Sequence, residues 1–162
     1  MTDVTAAPEN GAAPMGPQIR VLSQFVKDLS FENPALAQLE AGPQPSIDLG
    51  IDVKAEPLQQ QDAIYNVDLK MTARATRNGQ VIFLAELVYA SVFQMRNVPA
   101  ADLEPILLIE CPRLMFPFAR RILAEVTREG GYPPLLVDPI DFVALYRQQV
   151  QHRAGRGSES AS

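Results

Sequence analysis

Two runs near the middle of the chain alternate apolar and polar residues as an antiparallel strand with one buried face requires. From Ile47 to Ala55 the apolar set is Ile47, Leu49, Ile51, Val53 and Ala55, against Asp48, Gly50, Asp52 and Lys54. From Tyr65 to Ala75 it is Tyr65, Val67, Leu69, Met71, Ala73 and Ala75, against Asn66, Asp68, Lys70, Thr72 and Arg74. An earlier run, Ile19 to Phe31, follows the same rule more loosely, because Leu22 and Val26 fall on its otherwise polar face. Val81 to Met95 is different. Val81, Phe83, Ala85, Leu87, Tyr89, Phe93 and Met95 form one apolar face, and Ile82, Leu84, Val88, Ala90 and Val92 form another, interrupted at Glu86. A strand buried once would alternate, so the second face must meet further apolar surface, as in a protein that assembles or holds sticky partners.

The segment Arg77-Asn78-Gly79 joins the third and fourth strands. A two-residue Asn78-Gly79 turn pairs Arg77 with Gln80 and drags Glu86 toward the core. A three-residue loop pairs Thr76 with Gln80 and sets Ala75, Ala73, Met71 and Leu69 opposite Val81, Phe83, Ala85 and Leu87. The three-residue loop is the expectation, since it leaves Leu84 and Glu86 on the open face and buries no unpaired carboxylate. Asn33 to Pro45 reads as a long Pro- and Gly-punctuated connection between the first two strands.

Helical periodicity follows. Asp102 is placed to cap a short helix to Ile109, apolar nearly all round and therefore buried from several sides. Pro112 opens the longest helix and Gly130-Gly131 ends it. Its apolar residues, among them Leu114, Met115, Phe116, Phe118, Ile122 and Leu123, cover an arc of about 200°, wider than the roughly 100° of an ordinary surface helix. Pro139 opens a last helix with Phe142, Leu145 and Tyr146 on one side. Four strands followed by helices predict an α+β domain: a four-stranded antiparallel sheet with helices packed on one face.

The chain has 162 residues, one domain's worth. Residues 1–17 and 151–162 are too poor in apolar side chains to offset their ordering entropy, and are expected to be disordered tails around a folded 18–150 domain. A net charge of −5 argues against a nucleic-acid partner. The N-terminus lacks the basic and apolar regions of a secretory signal, and no run approaches the roughly 20 apolar residues of a membrane helix. With one cysteine no internal disulfide forms, and a soluble protein of the reducing cytoplasm, without direct membrane insertion, is the reading.

Catalytic chemistry is sparse. Cys111 and His152 are the only cysteine and histidine, and nothing orients His152 as a base. No set of metal-ligand residues at the right spacing and no phosphate-binding glycine loop is present, so neither metal nor cofactor is expected. Asp48 and Asp52, or Asp28 and Glu32, as strand neighbours four apart, sit about 13 Å from each other, too far to act as a carboxylate pair. The chain is not expected to be an enzyme.

KDLSFENP (Lys27–Pro34), FLAELVYASVFQM (Phe83–Met95) and ECPRLMFPFARRILAEVTREGGYPPLLVDPIDFVALY (Glu110–Tyr146) resemble the SecB family of bacterial protein-export chaperones. The resemblance spans about Gln18 to Val150, and its CP-x-x-x-FP-x-AR, GGYPPL and PIDFVALY runs are highly specific. It implies a protomer whose sheet pairs across a dimer, with two dimers stacked through their helices into a homotetramer, a dimer of dimers. It also implies an ATP-independent holdase that keeps unfolded preproteins translocation-competent and hands them to the SecA motor. By motif, Asp28, Glu32, Leu84 and Glu86 match the face that contacts SecA, and Ala85, Leu87 and Tyr89 match positions sensitive for subunit assembly. Met115 and Phe116 are candidates for the client groove. So are Leu36 and Leu39, which supply apolar contact in a connection that lacks the aromatic residues common in the family.

The over-wide helix arc agrees with this, because subunit packing uses part of such a surface and a groove for extended apolar segments uses the rest. The competing readings are a self-assembling scaffold without clients, and an enzyme built on Cys111 and His152.

Overall fold

The computed structural model describes residues 16–34, 42–59 and 61–159. Strands β1 (Gln18–Glu32), β2 (Ser46–Gln59), β3 (Ile64–Arg77) and β4 (Gln80–Arg96) form one antiparallel sheet in the order β1-β4-β3-β2. The β3–β4 hairpin therefore fills the centre, and β1 and β2 are the edges. Helix α1 (Ala100–Pro105), a π-helical turn (Ile106–Glu110), α2 (Cys111–Glu129) and α3 (Phe142–Glu159) follow. The α+β architecture is that expected; the N-terminal tail lies almost wholly outside the described residues.

The hairpin turn differs from the expectation. Asn78 and Gly79 both have positive φ (52° and 75°) and form a two-residue turn that pairs Arg77 with Gln80. Asn-Gly adopts this mirror-image turn readily, and its twist matches that of the flanking strands. A bulge then intervenes: Thr76 pairs with Val81 but Ala75 with Phe83, so Ile82 is the extra residue. The bulge restores the parity that the turn alone would have reversed. Glu86 still points away from the helices, while Leu69 faces Tyr89 and Met71 faces Leu87, two residues further along β4 than the three-residue loop would place them.

Two bulges also account for the imperfect alternation of β1, where register shifts fall between Val21 and Ser23 and between Val26 and Asp28. Ile19 and Val21 share the helix-side face with Met95 and Phe93. After the first bulge Val26 takes that face opposite Tyr89, and after the second Leu29 and Phe31 do so opposite Leu87 and Ala85. The misplaced apolar residues Leu22 and Val26 thus mark where the strand changes parity.

On the helix side, Val67, Leu69, Met71, Ala73 and Ala75 of β3 and Phe83, Ala85, Leu87, Phe93 and Met95 of β4 are buried under Cys111, Met115, Phe116, Ala119 and Leu123 of α2. Each large side chain so enclosed contributes about 1.5–3 kcal/mol. Leu107 of the π turn and Phe142 of α3 extend the same core, with Phe142 edge-on to Phe116 at 6.1 Å.

The helical run from Ala100 to Glu129 is unbroken rather than split at Ile109. Pro112 has no N–H and its ring crowds the carbonyl four residues back, which favours the widened turn at Ile106–Glu110 over an α turn. Asp102 sits in the first turn of α1 rather than at its cap, which is Pro99. Helix α3 begins at Phe142, where the Asp141 carboxylate accepts the N–H of Ala144 at 3.0 Å, so Asp141 and not Pro139 sets its start. That helix runs on to Glu159, through residues expected to be a disordered tail. Contacts to the body support it: Arg153 pairs with Glu104 at 2.7 Å, and Gln149 donates to Asp52 at 3.3 Å.

The exit from α2 is tied down by one side chain. Thr127 is fully buried; its hydroxyl donates to the Leu123 carbonyl at 2.9 Å and accepts the N–H of Leu135 at 2.9 Å. Gly131, at φ 92°, reverses the chain between them. Thr127→Val keeps the shape but leaves the Leu135 N–H without an acceptor, and should lower unfolding stability by about 1–3 kcal/mol in a urea titration.

Candidate functional site

The sheet face away from the helices carries a charged lattice. Cross-strand neighbours share a face, so the pairings define its rows: Asp48, Arg74, Leu84 and Glu32; Gly50, Thr72, Glu86 and Ser30; Asp52, Lys70, Val88 and Asp28; Lys54, Asp68, Ala90 and Phe25. Asp28, Glu32, Leu84 and Glu86, drawn from two separate sequence segments, thus fall on adjoining rows of β1 and β4. The basic residues of these rows sit on β2 and β3, which leaves the β1–β4 half acidic. Lys27, in the second bulge, reaches across β4 to Asp68 at 2.9 Å, and this bond raises the lysine pKa above its usual value. Lys70 stands 3.9 Å from Glu86. The Lys70–Glu86 pair is well solvated and holds the face only weakly, whereas Asp68, 16% exposed, is the more enclosed partner of Lys27.

Ala85, Leu87 and Tyr89 lie on the opposite face, buried under α2. Within the single chain their side chains are enclosed. Met115 is fully enclosed and Phe116 nearly so, which puts both in the core and not on a groove wall. The reason is the width of the apolar arc on α2: its Met115–Phe116–Ala119–Leu123 side faces the sheet, and its other flank, Leu114 and Phe118, is left 47% and 51% exposed. Leu36 and Leu39 lie outside the described residues.

Two apolar surfaces were not assigned from the residue pattern. One runs along the β1 edge, where Val21, Val26 and Leu29 on the helix side remain exposed beside Leu114 and Phe118; Phe118 stacks on Tyr89 with centroids 6.4 Å apart. The second is a groove of about 350 Å³ between the hairpin end of the sheet and the segment that follows α2. Ile47, Pro45 and Phe83 line one side and Tyr132 to Leu136 the other, with Leu136 67% exposed. Aromatic packing builds its wall: Phe31 on Phe83 at 5.6 Å and Phe83 on Tyr132 at 4.9 Å. The Tyr132 hydroxyl donates to Asn33 Oδ1 at 2.6 Å, and Asn33 Nδ2 donates to the Gly130 carbonyl at 3.0 Å. Burial raises the Tyr132 pKa, and the Arg77 guanidinium nearby acts in the opposite direction. The signal in the sequence was the run Tyr132-Pro133-Pro134-Leu135-Leu136, where adjacent leucines follow prolines with no helix or strand to bury both.

A family model described as "Preprotein translocase subunit SecB" matches residues 12–153. The chain belongs to the SecB family. Among the relatives of this SecB-family chain is the protein-export protein SecB of Hyphomonas neptunium, 55% identical, covering 96% of this chain and 95% of the relative. Another, from Caulobacter vibrioides, is 48% identical over 96% and 97% of the two chains. The fold also matches a SecB-like chaperone of Mycobacterium tuberculosis solved in complex with an antitoxin peptide, with TM-score 0.62 and 15% identity, covering 75% of this chain and 90% of that one. Among the described residues no helix is long and apolar enough to cross a membrane.

Cys111 is fully buried, and burial with the nearby Glu110 charge pushes its pKa from 9.0 up to about 12. The thiol therefore stays protonated, and unreactive as a nucleophile, at neutral pH. A folded-state pKa above the unfolded one stabilises the fold fully below about pH 9, and that contribution is lost as pH rises toward about 12. Between about pH 9.5 and 10.5 the parent chain should lose about 1 kcal/mol more unfolding free energy than Cys111→Ala in parallel urea titrations.

Proposed function

We propose that this SecB-family chain is a cytoplasmic, ATP-independent holdase that binds unfolded preproteins, keeps them competent for translocation and passes them to SecA. The observation that carries the reading is the division of surfaces on the protomer. Apolar area that its own core does not use lies on the helix side and at the groove, while the acidic β1–β4 patch occupies the opposite sheet face. A client segment in extended form fits the groove by apolar area and backbone pairing rather than by a side-chain code, which suits a chaperone of many substrates. The acidic face suits a basic docking element on SecA, where complementary charge chiefly sets the rate of encounter.

The β1 edge supports the dimer-of-dimers assembly. Its outer backbone groups are open to pairing with a second sheet, and the Leu114–Phe118 stripe adjoins it. Self-association without clients is the competing use of this surface, and the groove separates the two, since a scaffold has no need of it.

Light scattering at micromolar concentration should give a mass near four chains, falling toward two or one in Phe118→Glu. The parent chain should slow the refolding of a denatured preprotein; refolding at the unassisted rate, with no saturable binding, would leave only the scaffold. Glu86→Lys should weaken SecA binding severalfold at low salt and less at high salt, as measured by titration.

A further inference from the structure

Lys27 stands beside two carboxylates and is tied to only one of them. It occupies the second bulge of β1 and shares with Asp28 and Asp68 a hollow of about 210 Å³ on the sheet face away from the helices. Its Nζ lies 2.9 Å from Asp68 Oδ2, across β4, although Asp28 is its neighbour in the chain. The choice has a physical cause. Buried Asn66 donates its Nδ2 to Asp68 Oδ1 at 2.8 Å, so the orientation of this carboxylate does not depend on the lysine. Asp68 is also well enclosed, where less water screens the attraction. Asp28 is exposed, and a solvated acid holds a lysine weakly. Among the described residues Asp28 and Glu32 have no ion-pair partner, so their charges stay available to another molecule.

We propose that Asp68, with Asn66 behind it, is a positioning residue for docking of the basic partner: it draws Lys27 to the β3 side and leaves Asp28 unpaired. Without that anchor Lys27 turns back on Asp28 and cancels one of the charges that attract the partner. The bulge makes this possible, because it sets two consecutive residues of β1 on one face. The inference rests on the β1–β4 face being the docking site, and it adds to that site a β3 residue outside the acidic patch itself.

The test is SecA binding by the full-length protein, titrated at low salt, with circular dichroism to confirm the fold of each variant. Asp68→Asn keeps the shape and should weaken binding roughly fivefold, the scale of one surface ion pair. Adding Lys27→Gln to it should restore binding to within about twofold of the parent, since no lysine is then left to cover Asp28. Asp48→Asn removes an equal charge from the same face without touching the anchor, and should cost less than about twofold. Asn66→Ala leaves the net charge unchanged and should reproduce part of the Asp68→Asn loss, because the anchor is no longer fixed. Should Asp68→Asn fail to fold, Asn66→Ala with and without Lys27→Gln decides the same point. Equal losses in Asp68→Asn and Asp48→Asn, with none in Asn66→Ala, would reduce the effect to net charge and overturn the inference. A loss in Asp68→Asn that Lys27→Gln does not restore would make Asp68 a direct contact of the partner, with the same result. If Glu86→Lys weakens binding and Asp68→Asn does not, only this inference falls; if Glu86→Lys has no effect, the docking face falls with it.

Discussion

A single helix cannot cover a four-stranded sheet, and most of what this protomer offers to other molecules follows from that mismatch. Strands spaced by about 4.8 Å make a sheet close to 15–19 Å wide, whereas a helix packed on it shields about 10 Å. Helix α2 settles on β3 and β4, the π turn reaches β2, and no helix lies as closely over β1. Val21, Val26 and Leu29 therefore stay in water although the strand's other partners are buried. The flank of α2 that leans toward them, Leu114 and Phe118, is apolar for the same reason: it overhangs an uncovered edge. A second copy is the simplest cover for such an edge, and its arrival would also remove the unpaired strand that otherwise invites aggregation.

The opposite face obeys a different rule. The apolar row Leu84, Val88, Ala90 and Val92 along central β4 is flanked by long charged side chains of β3 and β1, whose stems cover part of it while their heads stay solvated. The face is thus soluble without being featureless: within its rows β1 and β4 carry Asp28, Glu32 and Glu86, while β2 and β3 mix Asp48, Asp52 and Asp68 with Lys54, Lys70 and Arg74. The two faces of one strand, both greasy in sequence, meet quite different surroundings. One is a close-packed core; the other is a thin apolar floor under charge.

The apolar groove beside Tyr132 is a product of long-range packing. Phe31 lies near the end of β1, Phe83 near the start of β4 and Tyr132 after α2, yet the three rings pack tilted one against the next, and Asn33 ties the last of them to the exit of the helix. Thr127 holds the following strand-like segment at a fixed height above the sheet. Among the described residues that line the groove, Arg77 is the one charged member.

Strand identity, the sheet's buried face, the outward turn of Glu86 and the grouping of Asp28 with Glu32 were readable from the residues, because side-chain alternation with period two is a local property. The Asn78-Gly79 turn with a compensating bulge was not readable. A turn and a bulge each shift parity by one, and only the pairing partner reveals that both are present. The same holds for β1, whose out-of-place Leu22 and Val26 recorded two bulges that periodicity alone does not resolve. Met115 and Phe116 fell in the core instead of on a groove because an apolar arc says how much of a helix avoids water, not which neighbour shields it. The helical course of residues 151–159 depended on Glu104, a contact far away in the chain. Local pattern, in short range, chose the elements and their inner faces; which apolar residues were left uncovered was settled by how wide the sheet is, how many helices lie on it, and where they stop.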